Sequence, residues 1–222
     1  MPSRISAELA HLARLARDGG LDLSQVSLRV KADLLMSTPQ PAPDDLAAFG
    51  EMATTLVPGI DEATAVILAR KLAGWRHAPT LVLAALKARG GAVLAALLRH
   101  GMPATSVEIE EFAGHDDANI AGALAERIDL TATAMLMLVE RGDRAIDFAL
   151  MNNAAIRLPR AALDLLLARS REDAGYIPPL LARRDLSSAE LAPLFLFAGP
   201  ERRLAMLESL AALEALGPSE RR

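Results

Sequence analysis

Apolar residues recur along this chain at helical spacing, and over its later part the spacing itself repeats every 28 residues. The triplets Gly101-Met102-Pro103, Asp129-Leu130-Thr131, Arg157-Leu158-Pro159 and Asp185-Leu186-Ser187 stand in one register. Behind each triplet the apolar positions return in phase. Ile120, Phe148, Tyr176 and Leu204 share one position, and Ala121, Ala149, Ile177 and Ala205 the next. A helix returns to the same face every three or four residues, so each period has room for two short helices and two turns. One such pair cannot bury its own apolar face, whereas a stack of pairs can. The pattern therefore predicts an all-α fold: an α-solenoid of paired helices.

The pairs are expected at 79–89 with 91–100, 104–113 with 117–127, 131–141 with 144–152, 159–169 with 173–183, and 187–198 with 201–216. Pro79, Pro103 and Pro159 suit first helical positions, where a missing N–H costs nothing, and Thr131 and Ser187 suit caps. Pro178 removes a donor and is expected to kink or delay its helix. Before residue 78 the spacing is irregular. Ile5, Leu9, Leu12 and Leu15 make one apolar face, stopped by Gly19-Gly20. Helices capped by Asp44 and Asp61 follow one near 24–36, and Trp75 is expected to anchor this part. The organisation reads as an N-terminal helical cap or bundle over 1–77, a repeat array over 78–217 and a frayed tail over 218–222.

Composition narrows the picture. Hydrophobic residues make up 52% and aromatics only 3%, so Ala and Leu carry the core and few platforms exist for stacking bases. With no cysteine, disulfides and thiolate metal sites are excluded. The apolar stretch 81–98 is broken by Lys87, Arg89 and Gly90-Gly91, which rules it out as a membrane span, and residues 1–20 lack a secretory pattern. A cytoplasmic protein with no membrane partner is expected. The net charge of −4 speaks against a general affinity for nucleic acid.

Candidate chemistry is sparse. No phosphate loop, HExxH or nucleophile elbow occurs. His115-Asp116-Asp117 offers metal-ligand types without further ligands at helical spacing, so a helix cap is the expected role. No cofactor is implied. Residues 101–156 hold ten acids against three arginines, between mildly basic flanks. Such an asymmetry steers a basic partner, and Glu108, Glu111, Asp116 and Asp117 are its candidate contacts. Asn152 and Asn153 stand at a helix end, where Asn tolerates the left-handed conformation, and are further candidates for binding a partner backbone. Arg169/Arg171, Arg183-Arg184 and Arg202-Arg203 sit beside acids and read as solvated ion pairs. Met135 and Met137 read as core.

The run Leu138-Val139-Glu140-Arg141-Gly142-Asp143, with Ile146 and then Asn152-Asn153-Ala154-Ala155-Ile156, resembles the bacterial family called domain of unknown function 2336. Segments 69–79 and 181–186 are also similar to it. The resemblance implies HEAT-like repeats and brings no activity with it. In its Arg-Gly-Asp element, Gly142 is expected to end one helix and Asp143 to cap the next.

Together these features point to a non-catalytic interaction scaffold or adaptor that binds a protein partner, with homodimerisation through the N-terminal helices. Two other classes stay open: a HEAT-like nucleic-acid-binding protein, for which only Trp75 and Tyr176 could stack, and a helical metal-dependent enzyme resting on His115-Asp116.

Overall fold

A computed structural model describes residues 24–197, 199–201, 203–204 and 206–208. The expected helix around Ile5 to Leu15, Arg202 and the stop at Gly217-Pro218 lie outside them. The described residues are helical, with no strand. They form α1 (Ser24–Ser37), α2 (Pro43–Leu56) with a 3-10 turn Val57–Gly59, α3 (Glu62–Leu72), α4 (Thr80–Lys87) and α5 (Gly91–Arg99). Then come α6 (Ser106–Ala113), α7 (Ala118–Ala125), α8 (Ala132–Glu140), α9 (Arg144–Asn152) and α10 (Arg160–Arg169). A 3-10 turn Ala174–Tyr176, α11 (Ile177–Ala182) and α12 (Ser188–Phe197) complete them.

The chain divides into two compact units, residues 1–104 and 105–222. In the first, α1 packs on α2 and α3, α2 on α4, and α3 on α4 and α5. The pair α4/α5, expected to open the array, belongs to this unit. Its core is aliphatic, with Leu28, Leu35, Leu68, Leu72, Leu86 and Leu97 around Phe49. Trp75 is half-buried within it and meets His77 edge-on.

In the second unit α6, α7 and α8 each contact the next helix and the one after it. The first helices of successive pairs (α6, α8, α10) touch in sequence, as do the second helices (α7, α9, α11). Ile109, Ile120, Leu124, Leu138, Leu150 and Leu166 fill the space between. The repeat phase predicts this burial at Ile120 and Tyr176, but Leu204 at the same position is 61% exposed. In the last pair phase carries burial at Leu194, in register with Leu138 and Leu166, and not at Leu204.

Caps explain where these short helices start. Asp61 accepts from the Thr64 N–H, Thr131 from Ala134 and Asp143 from Ala145 and Ile146. Ser187 and Glu190 bond reciprocally, which holds the Glu190 carboxyl below its usual range. Two expectations are corrected. α2 begins at Pro43 after Ala42 with no side-chain cap, and Asp44 lies in the first turn, where its charge favours the helix dipole. Pro79 and Pro159 are caps rather than first helical residues. Pro178 delays its helix, as expected: a 3-10 turn precedes it, and α11 starts at Ile177 with the proline in its first turn, where no donor is lost.

Gly142 has φ +73°, a conformation that strains any side chain, whereas Gly122 is helical with open space where a Cβ would go. Gly142→Ala should therefore destabilise the protein by about 1–2 kcal/mol, and Gly122→Ala should stabilise it by roughly 0.5–1 kcal/mol. Urea denaturation of both variants checks the opposite signs.

Candidate functional site

The acidic residues divide by what they hold. Thr105 caps α6 in a reciprocal box with Glu108, whose Oε2 accepts from the Thr105 N–H at 2.9 Å. Asp117 caps α7, accepting from the Asn119 N–H at 2.8 Å. Both caps fall two residues beyond the 28-residue phase, so this pair starts 26 residues before the next. His115 takes no cap role; its Nδ1 accepts from the Asp117 N–H. Asp116 is exposed, and only its carbonyl is engaged, accepting from Arg141 Nη2 at 2.9 Å. Glu111 is exposed, and neither its carboxylate nor that of Asp116 is held by a bond among the described residues. No group of three His, Asp or Glu residues there could hold a metal ion.

Asn152 and Asn153 part company. Asn153 ends α9 with φ −77°, ψ 93°, an extended conformation rather than the left-handed one expected. Its amide donates to the carbonyls of Ala125 (3.1 Å) and Arg127 (2.8 Å), closing the end of α7. Asn152 is exposed, and its side chain bonds to none of the described residues.

One repeat on, Arg183 is buried instead of solvated. Its Nη1 donates to the carbonyls of Leu150, Met151 and Asn153, and its Nη2 to Ile156 at 2.6 Å. Asp185 orients it through Nε and Nη2, both at 2.9 Å. The end of α11 thereby closes the end of α9, as α9 closes α7. Beside this clamp lies an open groove of about 510 Å³ lined by Met151, Asn152, Ala154, Pro179, Ala182 and Arg183 to Asp185.

The opposite ends of the pairs are held in the same manner. Arg141 donates to the carbonyls of His115 (2.7 Å) and Asp116 in the turn of the preceding pair. Arg169 donates to the Val139 carbonyl and to Asp147 Oδ2, both at 2.6 Å. In the first unit Arg89 likewise reaches the carbonyls of Val57, Pro58 and Ile60. Asp147 is fully buried: Oδ2 also accepts from the Tyr176 hydroxyl at 2.7 Å, while Oδ1 has no partner. Burial, with that bond to Asp147, pushes the Tyr176 hydroxyl up to about 12. Arg144, over the Phe148 ring at 4.4 Å and bonded to Asp173, closes the same corner.

The sequence reading assigned Arg169 and Arg183 to the solvated surface. The available signal was their spacing: Arg141 and Arg169 stand 28 residues apart, and Arg127-x-Asp129 and Arg183-x-Asp185 stand two periods apart. Arg127 also pairs with its Asp129, at 2.6 Å.

The described residues thus belong to an all-helical protein with main-chain clamps between pairs. Residues 111–216 match the model of a family described as an uncharacterised protein conserved in bacteria, domain of unknown function 2336. The resemblance read from residues 138–156 holds over that range, and segment 69–79 lies outside it. No curated protein and no solved structure matches the chain.

Asp147→Ala strands a partly buried guanidinium and should cost about 3 kcal/mol in urea denaturation. Tyr176 keeps its proton to higher pH in the folded protein than in the unfolded chain. Its contribution is therefore whole below pH 10 and is lost as pH rises from 10 toward about 12. Tyr176→Phe should flatten that alkaline loss, as read from melting curves at stepped pH.

Proposed function

We propose that this chain is a non-catalytic protein-interaction scaffold or adaptor of the cytoplasm, an α-solenoid whose stacked helix pairs present a partner-binding surface. Residues 1–77 serve as its helical cap or dimerisation bundle. The observation that carries the reading is the division of labour among the acids of residues 105–131. Glu108 and Asp117 are spent on caps, and Glu110 accepts from the Thr131 hydroxyl. Glu111 and Asp116 are exposed with carboxylates that nothing in the fold requires. Exposed carboxylates, Glu111 on capped α6 and Asp116 in the turn after it, speed encounter with a basic surface and favour it over acidic ones.

The same division selects the test. Reversing charge at Glu108 would break a helix cap as well as the surface, so Glu111→Lys/Asp116→Lys is the informative variant. Capture from native lysate, nuclease-treated and at low and moderate salt, should retain a basic protein on the wild-type chain. The double variant should bind it at least tenfold more weakly at low salt with an unchanged melting temperature. Equal binding by the two proteins would sink the acidic-surface reading.

A further inference from the structure

Two positions of the repeat change character in the last pair. Ile120, Phe148, Tyr176 and Leu204 share one of them, and the contact made there is between pairs: Phe148 and Tyr176 meet edge-on at 5.2 Å. Ile120 and Tyr176 are buried and Phe148 is half-buried, whereas Leu204 is 61% exposed. Three residues further on stand Ala123, Met151, Pro179 and Leu207. Ala123 and Met151 are buried, Pro179 is half-buried and Leu207 is 57% exposed. In the earlier pairs the second helix meets the second helix of the next, α7 on α9 and α9 on α11. Leu204 and Leu207 therefore hold positions of a contact between pairs and stand exposed.

α12 carries the same signature. Its residues from Leu191 to Phe197 are apolar without interruption, and a helix apolar on every face belongs in an interior. Leu194 is buried, yet Leu191 and Phe195 are half-buried and Leu196 is 68% exposed. Arg203 donates to the carbonyls of Phe195 (2.9 Å) and Leu196 (3.1 Å), which brings the turn bearing Leu204 and Leu207 against the end of α12. These carbonyls are thus closed from within their own pair, whereas α7, α8 and α9 are closed from a later one. What this end calls for is apolar cover.

A helical array that meets water ends in a repeat with a polar outer face, and leucines in that place mark an interface. The cover that fits is the one earlier pairs receive, a further pair of the same repeat, which a second copy of the chain supplies. Head-to-tail addition would need an open position on the front pair to take Leu204, and Ile120 there is fully buried. The arrangement left joins like to like across a two-fold axis.

We propose that two copies of this chain join through this end, with Leu196, Leu204 and Leu207 of each packing against those of the other. The inference goes beyond the scaffold reading and uses neither Glu111 nor Asp116. It leaves residues 1–77 the role of a cap.

Light scattering after size exclusion of the full chain tests it. Wild type should be a dimer, and Leu204→Glu/Leu207→Glu should weaken self-association at least about tenfold. The melting temperature of that variant, measured below the dimer's dissociation constant, should match wild type because both side chains are exposed. The chain has no cysteine, so a single introduced one reports which residues meet. Leu204→Cys or Leu207→Cys should give a disulfide-linked dimer on mild oxidation, while Leu81→Cys, at an exposed position of the first unit, should not. A monomeric wild type overturns the proposal. So does a dimer that persists in the double glutamate variant, or one that links through Leu81→Cys and through neither of the other two.

Discussion

A carbonyl in the last turn of a helix has no intrahelical donor, and in this protein the donor is supplied by a later helix pair. An α-helix leaves four such carbonyls whatever its length. In helices of eight to ten residues, such as α7, α9 and α10, that is close to half of them. Helices this short are marginal alone, so their ends matter as much as their faces. Asn153, Arg169 and Arg183 answer the problem with side chains that cross from one pair to the previous one, and Arg89 and Arg141 reach carbonyls of earlier turns in the same way. A guanidinium suits the task because its donors fan out in a plane and serve several carbonyls at once. The five N–H groups of Arg183 reach four carbonyls and both carboxylate oxygens of Asp185, with the two hydrogens of Nη1 shared among three of the carbonyls.

The apolar framework was legible because burial in this fold follows periodicity. Ile120, Leu138 and Leu166 occupy positions that alternate with polar residues at helical spacing, and each is buried. Caps were legible at Asp61, Thr131, Asp143 and Ser187 and within the cluster 115–117, where Asp117 takes the role, whereas Thr105 was hidden because the pair α6/α7 slips by two residues. The clamps were not legible as such. An arginine that closes a helix end and an arginine in solvent are the same letter, and the difference lies in carbonyls 25 to 33 residues away. Asn152 and Asn153 show the limit most sharply: adjacent and identical, one closes α7 and the other lines a groove.

Asp147, like Arg183, marks a place in the second unit where apolar packing gives way to buried charge. Its carboxylate ties α9, the end of α10 and the 3-10 turn before α11 into one corner, and leaves one oxygen unsatisfied. A hydrophobic residue would fill such a position at lower desolvation cost, so the carboxylate is better understood as fixing which arrangement forms than as adding net stability. With a core of small aliphatics, which pack in many nearly equivalent ways, a directional contact of this kind narrows the choice.

All five clamps run in one direction, from a later donor to an earlier acceptor. The two cut ends of such a chain are not equivalent. Removing pairs from the front leaves arginines without carbonyls, and an arginine returned to water is well hydrated. Removing pairs from the back leaves carbonyls without these donors, the buried ones at the end of α9 among them. A ribosome delivers the chain in the order that meets this asymmetry least comfortably, since each pair emerges before the residues that finish it. The pairs α6/α7 and α8/α9 are therefore complete only when their successors have been made.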